Sequence, residues 1–581
     1  MTASPAARTL AALLALAPGA TAAGAPAKVS RPGVYQGYAQ ATYDGAERSS
    51  FYIPMRDGVR LAADLFRPTT GGKLAAERLP VIWMHTPYNR RDYRGQPTVE
   101  RYPGYAMQLV KYGYNVAVVD FRGLYASEGR NVGYNRGEWR GAARTDAYDV
   151  TEWFARQPWS SGRIGMWGCS ATGGSQMQAA TTRPPSLKAI MPMSAEFDAY
   201  PFVQLGGVQS PPRSTASAAQ ANAERDAQAA PVDGADGAAE LKAAVAGHAR
   251  NVEQVGSAPF RDSIAPGVGE AWWMRSSPST YLAALRNGEF GVYAVANWEE
   301  AGTRHGAFRT FRNLPNTKLL VGPGTHCDWS GVKADTGFDI TIEELRFFDH
   351  WLKGVDNGVM REPRVTYYTY NRPADAPWRT AASWPPREAV AQTFRLGAGA
   401  LDKGLQGESA AGEDHALTAA PAPSSSTFIE TPAGGLSYET APLAADLEIT
   451  GDPLLRLWVS TEGSDVDVLA TLEDVAPDGA AVTRQMVGRL RASHRALAPA
   501  PYDNLGLPWH SHRQADARPM PRGEPQELAF DLLPMSYLFK AGHRVRLRLT
   551  FADPQGRVGL PVSVHRGGET ASFISLPVAA R

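Results

Sequence analysis

Six short apolar runs, each closed by a polar or glycine-bearing turn, limit what this chain can fold into: LPVIWM (79–84), YNVAVVD (114–120), SGRIGMWGCS (161–170), LKAIMPMSA (187–195), GVYAVANW (291–298) and TKLLVGPGTH (317–326). Runs of this length without a polar-apolar alternation are strands covered on both faces, the condition of a parallel sheet between layers of helix. Helix-competent stretches such as Ala143–Arg156 lie between them. The alternation is therefore βαβ, and the fold class it predicts is α/β with a doubly wound sheet.

Two segments break the pattern. Residues 196–290 carry Ala-rich, polar helical sequence and the pair Trp272-Trp273, and read as a helical cap that divides the core into 24–195 and 291–388. Beyond Trp384-Pro385-Pro386, strict alternation takes over in LLRLWVS (454–460), DVDVLATLEDV (465–475) and RVRLRLTF (544–551). In the last, Val545, Leu547 and Leu549 face one way and Arg544, Arg546 and Arg548 the other. A β-sandwich over 389–581 is expected, with the Ala-, Gly-, Ser- and Pro-rich stretch 398–436 as a loosely ordered surface connection.

Charge and cysteine content narrow the function. With 59 basic against 58 acidic residues, the chain lacks the electrostatic footprint of a nucleic-acid binder or a polybasic membrane-surface protein. The expected ligand is small and weakly charged. Arg8, the apolar run Leu10–Ala17, Pro18-Gly19 and the small residues Ala20 to Ala23 read as a signal peptide over 1–23, and no later stretch is apolar for the length of a membrane span. An exported protein, periplasmic or extracellular, follows. Cys169 and Cys327 are the only cysteines, too few for a stapled scaffold or a cysteine zinc site; one disulfide and two separate buried thiols are both open. His510 and His512 fall two apart on a polar loop, His350 on an amphipathic helix and His543 at a strand start, so no metal site is expected, nor any cofactor. Oligomeric state is not set by these features, and a homodimer is one option.

The third run ends in Gly168-Cys169-Ser170-Ala171-Thr172-Gly173-Gly174 and leads into helix-competent SQMQAA. A serine between strand and helix, flanked by small residues, matches a nucleophile elbow, although the glycines are one residue off G-x-S-x-G. Such a serine needs a histidine base and a carboxylate to orient it, in the chain order Ser, acid, His. Glu299 and Glu300 follow the fifth run and His326 ends the sixth, which supplies that order.

Longer stretches carry a resemblance: MRDGVRLAADLFRP (55–68), TPYNRRD (86–92), VVDFRGLYASEG (118–129), QPWSSGRIGMWGCS (157–170), VGPGTHCDW (321–329), FFDHWLKGVDNG (347–358) and SYLFKAGHRVRLRLT (536–550). In these the chain resembles the CocE/NonD serine hydrolases, the cocaine esterase and Xaa-Pro dipeptidyl-peptidase group. The resemblance implies an α/β-hydrolase core, a helical cap and a C-terminal jelly roll. It implies Ser170 as nucleophile, His326 as base and Glu300 at the usual aspartate position, with Glu299 an open substitute. Tyr88 and the backbone N–H of Ala171 would form the oxyanion hole. Ala171 and Gly324 stand where the family usually has Tyr and Trp.

The implied activity is hydrolysis of carboxylic esters or amides of small acyl substrates, with no cofactor. Trp272 and Trp273 are candidates for an acyl pocket, surface packing being the other reading. Dipeptidyl-peptidases of the group carry a large extra N-terminal domain, and α-amino acid ester hydrolases a carboxylate three residues past the nucleophile, where this chain has Gly173. A reading of another class is a carbohydrate- or surface-binding jelly roll beside a degenerate core.

Overall fold

The computed structural model describes Met1 and residues 28–91, 106–208, 218–252, 258–300, 302–397, 401–403, 413–416, 435–555 and 561–579. Most of the signal-like segment 1–23 therefore lies outside the described residues.

Among the described residues the main sheet has eleven strands, the short Lys73–Leu74, which pairs with Arg60–Thr70, and ten along its path: β1 (Gly45–Pro54), β2 (Arg60–Thr70), β3 (Leu79–Thr86), β4 (Asn115–Asp120), β5 (Ser160–Cys169), β6 (Leu187–Met193), β7 (Gly291–Glu299), β8 (Thr317–Thr325), β9 (Val365–Tyr368) and β10 (Trp378–Ala381). Their spatial order is β10-β9-β8-β7-β6-β5-β3-β4-β2-β1. Strands β3 to β9 run parallel, with antiparallel strands at both edges. All six residues of β4 are buried, as strands covered on two faces must be.

Alternate residues of each strand feed two apolar layers. Val81 and Trp83 join Val150 and Phe154 of α1 (Asp146–Ala155) and Met177 and Ala180 of α2 (Ala171–Thr181). Ile82 and Met84 face the other way, in the layer that holds Trp329 and Val332 together with Phe347, Phe348 and Leu352.

Between β6 and β7 lie short helices, α3 (Ala199–Val203), α4 (Ala218–Asp226), α5 (Gly237–Gly247), α6 (Trp272–Arg275) and α7 (Leu282–Arg286). After β7 comes α8 (Gly302–Asn313), and after β8 come α9 (Trp329–Thr336) and α10 (Ile340–Lys353). The last is capped at both ends, by Asp339 accepting from the Thr341 N–H and by Gly354 at a φ of 71°.

From Ala389 to Ala579 the chain forms two antiparallel sheets, of nine and five strands. Val545, Leu547 and Leu549 are fully buried, while Arg546 reaches Glu439 at 2.6 Å and Glu473 at 3.1 Å. The apolar core of this jelly roll is continuous with Trp298, Phe308, Phe311, Leu319 and Val321 of the α/β part.

One expectation needs correction. Much of 398–436 lies outside the described residues, but Leu401–Lys403 pairs with the strand Ala389–Leu396 and Glu413–Ala416 with Pro561–His565. Backbone pairing at a sheet edge asks little of side-chain composition, so a polar stretch can supply it. His510 and His512 do lie outside the helices and strands, as expected of a loop, and both are buried there, with His512 Nδ1 2.9 Å from His494 Nδ1.

Candidate active site

Strand β3 has β4 on one side and β5 on the other, which makes its C-terminal end the point where strand order reverses. Crevices that bind ligands in doubly wound sheets open there. Ser170 is the residue after β5, and Tyr88 lies two residues past the end of β3.

The elbow is strained as a serine between strand and helix requires. Ser170 has φ 63° and ψ −126°, and its carbonyl accepts the first helical bonds from Gly173 at 2.8 Å and Gly174 at 2.9 Å. Its own N–H donates to the Met193 carbonyl at the end of β6, at 3.0 Å. This approach accounts for the displaced glycine. A Cβ on Gly173 would stand 2.4 Å from the Met193 carbonyl oxygen, whereas position 172 holds a threonine whose Oγ1 donates to the Cys169 carbonyl at 2.7 Å. Gly168, at φ 133°, is also required, since its Cβ would lie 2.4 Å from Thr172 Oγ1.

Glu300 is fully buried just past β7, and both its oxygens are engaged. Oε1 accepts from the Asn297 N–H at 2.7 Å and from Ser194 Oγ at 3.1 Å; Oε2 accepts from Thr303 Oγ1 at 2.9 Å and faces His326 Nδ1 at 2.7 Å. With Nδ1 engaged by a carboxylate, His326 Nε2 is left as the proton acceptor. Glu299 takes another path. It accepts from the Tyr370 hydroxyl at 3.2 Å and has Arg484 at 3.5 Å. A register shift between Asn297 and Glu299 lies just before the two acids.

Cys169 and Cys327 form a disulfide with a Cα–Cα distance of 5.9 Å. One 3.8 Å step along the chain at each end caps the Ser170–His326 Cα separation at about 13.5 Å. Gly324 belongs to the same turn: a Cβ there would lie 2.6 Å from the Asp328 carbonyl oxygen and 2.7 Å from Val332 Cγ2, so a tryptophan cannot occupy it.

Tyr88 is half-buried, and its backbone N–H donates to Thr86 Oγ1 at 2.9 Å. The segment is anchored by residues that the motif reading passed over. Arg90, wholly buried, donates to Asp120 through its backbone N–H at 2.6 Å and Nη1 at 2.9 Å, and to Asp64 through Nε at 3.0 Å. Arg91 adds a 2.6 Å bond to Asp64. Burial pushes the Asp120 carboxyl up to about 6 against the pull of Arg90. The sequence carried a hint in NRRD directly after the Thr-Pro-Tyr segment. Ser194 and Thr303 were also missed, since neither a lone Ser nor a lone Thr is a motif.

Ala171 is the first residue of α2. Trp272 and Trp273 pack into the helical insert with Tyr200, Ala258 and Ala265. The Trp273 indole donates to the Ala258 carbonyl at 2.7 Å, and the Arg140 guanidinium lies 4.2 Å from the Trp272 ring centre. Both rings are spent on packing the insert. Among the described residues, no group of three or more His, Cys, Asp or Glu side chains could hold a metal ion.

Comparisons with known proteins agree along most of the chain. Residues 57–328 match the X-Pro dipeptidyl-peptidase (S15 family), and 357–561 match the X-Pro dipeptidyl-peptidase C-terminal non-catalytic domain. A Mycobacterium tuberculosis protein described as a serine esterase is 31% identical, over 92% of this chain and 96% of its own. Cocaine esterase of a Rhodococcus species is 28% identical, over 92% of this chain and 98% of its own. A CocE/NonD family hydrolase from Staphylococcus aureus shares the fold at TM-score 0.69 and 20% identity, covering 92% of this chain and 94% of that one.

Proposed function

Since this chain belongs to the S15 family of X-Pro dipeptidyl-peptidases and serine esterases, and is a serine hydrolase, we propose that it cleaves carboxylic esters of small acyl groups through Ser170, His326 and Glu300. The observation that carries the assignment is the 2.7 Å contact of buried Glu300 with His326 Nδ1, beside a serine held at positive φ.

In this mechanism Ser170 Oγ attacks the substrate carbonyl while His326 Nε2 takes its proton. Glu300 fixes the imidazole tautomer and stabilises the imidazolium that forms. Its four contacts fix the carboxylate in the place where aspartate is usual, with β7 supplying the Asn297 N–H. The oxyanion takes hydrogen bonds from the Ala171 N–H and the Tyr88 hydroxyl. Imidazolium then protonates the departing alcohol, and water repeats the sequence on the acyl-enzyme.

Preference for esters rests on two relatives described as esterases and on Gly173, which leaves no carboxylate for a substrate ammonium at that position. The test is a panel on the purified protein: p-nitrophenyl acetate and butyrate, phenylglycine methyl ester, and Gly-Pro and Ala-Pro p-nitroanilides. Turnover confined to the simple esters supports the reading, and cleavage of the prolyl anilides moves the assignment to dipeptidyl-peptidase. We also propose export, supported by the leader-like residues 8–23 and a disulfide of the kind oxidising compartments keep. N-terminal sequencing of protein from the periplasm or medium tests it: an intact Met1 refutes cleavage.

A further inference from the structure

The disulfide joins the residue before Ser170 to the residue after His326. These are the only cysteines in the chain, so no other thiol competes for either partner. In the sheet, β5 and β8 are separated by β6 and β7. At about 4.8 Å per strand, their axes lie roughly 14 Å apart. The 5.9 Å between the two cysteine Cα atoms therefore requires the turn after β8 to fold back across the ends of two strands.

Side-chain hydrogen bonds from that turn lead to β7 and its C-terminal end: Asn297 Nδ2 donates to the Thr325 carbonyl at 2.8 Å and His326 Nδ1 faces Glu300 at 2.7 Å. The last pair of the β7–β8 ladder is Glu299 with Thr325, one residue short of His326. Beyond it, Asp328 N–H donates to the Thr325 carbonyl at 3.1 Å and Trp329 N–H to the Cys327 carbonyl at 3.1 Å. Both bonds shape the turn itself without tying it to β5 or β6. Cys327 has φ 65°, a conformation that persists in a residue other than glycine only where its surroundings over-determine it. Glycine at 324 is the other element the fold-back needs, because no Cβ fits against Asp328 and Val332.

We propose that the Cys169–Cys327 disulfide is a positioning device for the reaction: it seats His326 against the Ser170 elbow, and its reduction disengages the two while the fold remains. This rests on the assignment of Ser170, His326 and Glu300 made above. A dithiol acts first at Cys327, which is partly exposed where Cys169 is buried. Its thiolate attacks Cys327 Sγ, the Sγ–Sγ bond breaks, and Cys169 leaves as a thiolate that takes up a proton. The second thiol of the reductant then displaces Cys327, the reductant departs as a cyclic disulfide, and two electrons have passed to the protein.

The experiment compares the oxidised protein, the protein reduced with dithiothreitol, and the Cys169→Ala/Cys327→Ala double variant, each checked by thiol titration and far-UV circular dichroism. Readouts are kcat and KM for p-nitrophenyl acetate and the rate of fluorophosphonate labelling at Ser170. Expected is a fall of about 10- to 100-fold in kcat and labelling rate, the scale of an ångström's misplacement of a reacting group. KM should move less than about twofold, and oxidised glutathione should restore the reduced wild-type protein. Full kcat with two titratable thiols overturns the proposal, and so does loss of the dichroism spectrum on reduction, which would make the bond a requirement of the fold. Ser170→Ala in the oxidised state separates the two ideas: activity surviving there refutes the triad assignment, whereas Ser170-dependent activity indifferent to reduction refutes only the positioning role.

Discussion

Adjacent glutamates with different partners make the sharpest residue-level contrast. Glu300 is buried with four polar contacts, one of them His326, while Glu299 faces Tyr370 and Arg484 at the jelly-roll side. Glu300→Gln is expected to lower kcat by about 10³- to 10⁴-fold, because the amide no longer fixes the working tautomer. Glu299→Gln should cost less than about tenfold, and steady-state kinetics showing the reverse order would move the acid by one residue. Tyr88→Phe tests the second oxyanion donor. Loss of one such donor costs about 10²- to 10³-fold in kcat, so a Phe variant with the wild-type rate would remove Tyr88 from the site. Sequence order alone pointed to Ser170, the Glu pair and His326, because strand ends and residue types are local properties. It could not separate Glu299 from Glu300, since that choice follows from the partners each carboxylate meets.

At the scale of elements, the elbow depends on how closely α2 crosses the end of β6. Gly173→Ala places a methyl 2.4 Å from the Met193 carbonyl oxygen, so the helix must retreat and take Ser170 with it. Overpacking of this kind costs about 1–3 kcal/mol. Both the melting temperature and kcat are expected to fall, and a thermal scan beside an esterase assay reads them together. The apolar runs were legible as strands because burial on two faces leaves no polar positions. The edge strands Leu401–Lys403 and Glu413–Ala416 were not, since backbone pairing at a sheet edge needs no apolar run in the sequence. Trp272 and Trp273 could have lined a pocket or filled a core, and the choice came from Tyr200, Ala258 and Ala265 around them.

For the molecule as a whole, the jelly roll and the α/β part share one apolar core, with ionisable groups at their junction. Asp452 is one. Trp384 Nε1 donates to its Oδ2 at 3.2 Å, its Oδ1 is buried without a hydrogen bond, and burial, helped by Asp531, pushes its carboxyl up to about 7. The folded protein thus keeps a proton that the unfolded chain releases near pH 4, and this group's contribution to stability is lost as pH rises from about 4 to 7. Asp452→Asn keeps the shape and removes the titration. Relative to wild type it should gain stability between pH 5 and pH 8, and urea unfolding that gives the same difference at both would refute this account. His494 works in the opposite sense. Burial lowers it to about 4, so its contribution is lost as pH falls from about 6.5 to 4. The Arg304 guanidinium, on α8 four residues past Glu300, donates across the junction to the Gln485 carbonyl at 2.7 Å. Removing 389–581 is therefore expected to expose Phe308 and Phe311 and to abolish both solubility and turnover, which expression of residues 24–388 would check.

Taken alone, the sequence determined the class of fold, the inserted helices, the C-terminal β-sandwich and the chain order of Ser170, the glutamate pair and His326. Each of these is written in periodicity, composition or the residues at a strand end, which act over a few neighbours. The tertiary structure decided which glutamate meets His326, that Arg90 anchors the Tyr88 segment through Asp64 and Asp120, and that His510 and His512 are buried. It also decided that Cys169 and Cys327, 158 residues apart, are bonded to one another. These are long-range pairings. They depend on the path by which the sheet returns distant strand ends to one edge, and no local pattern in the chain encodes that path.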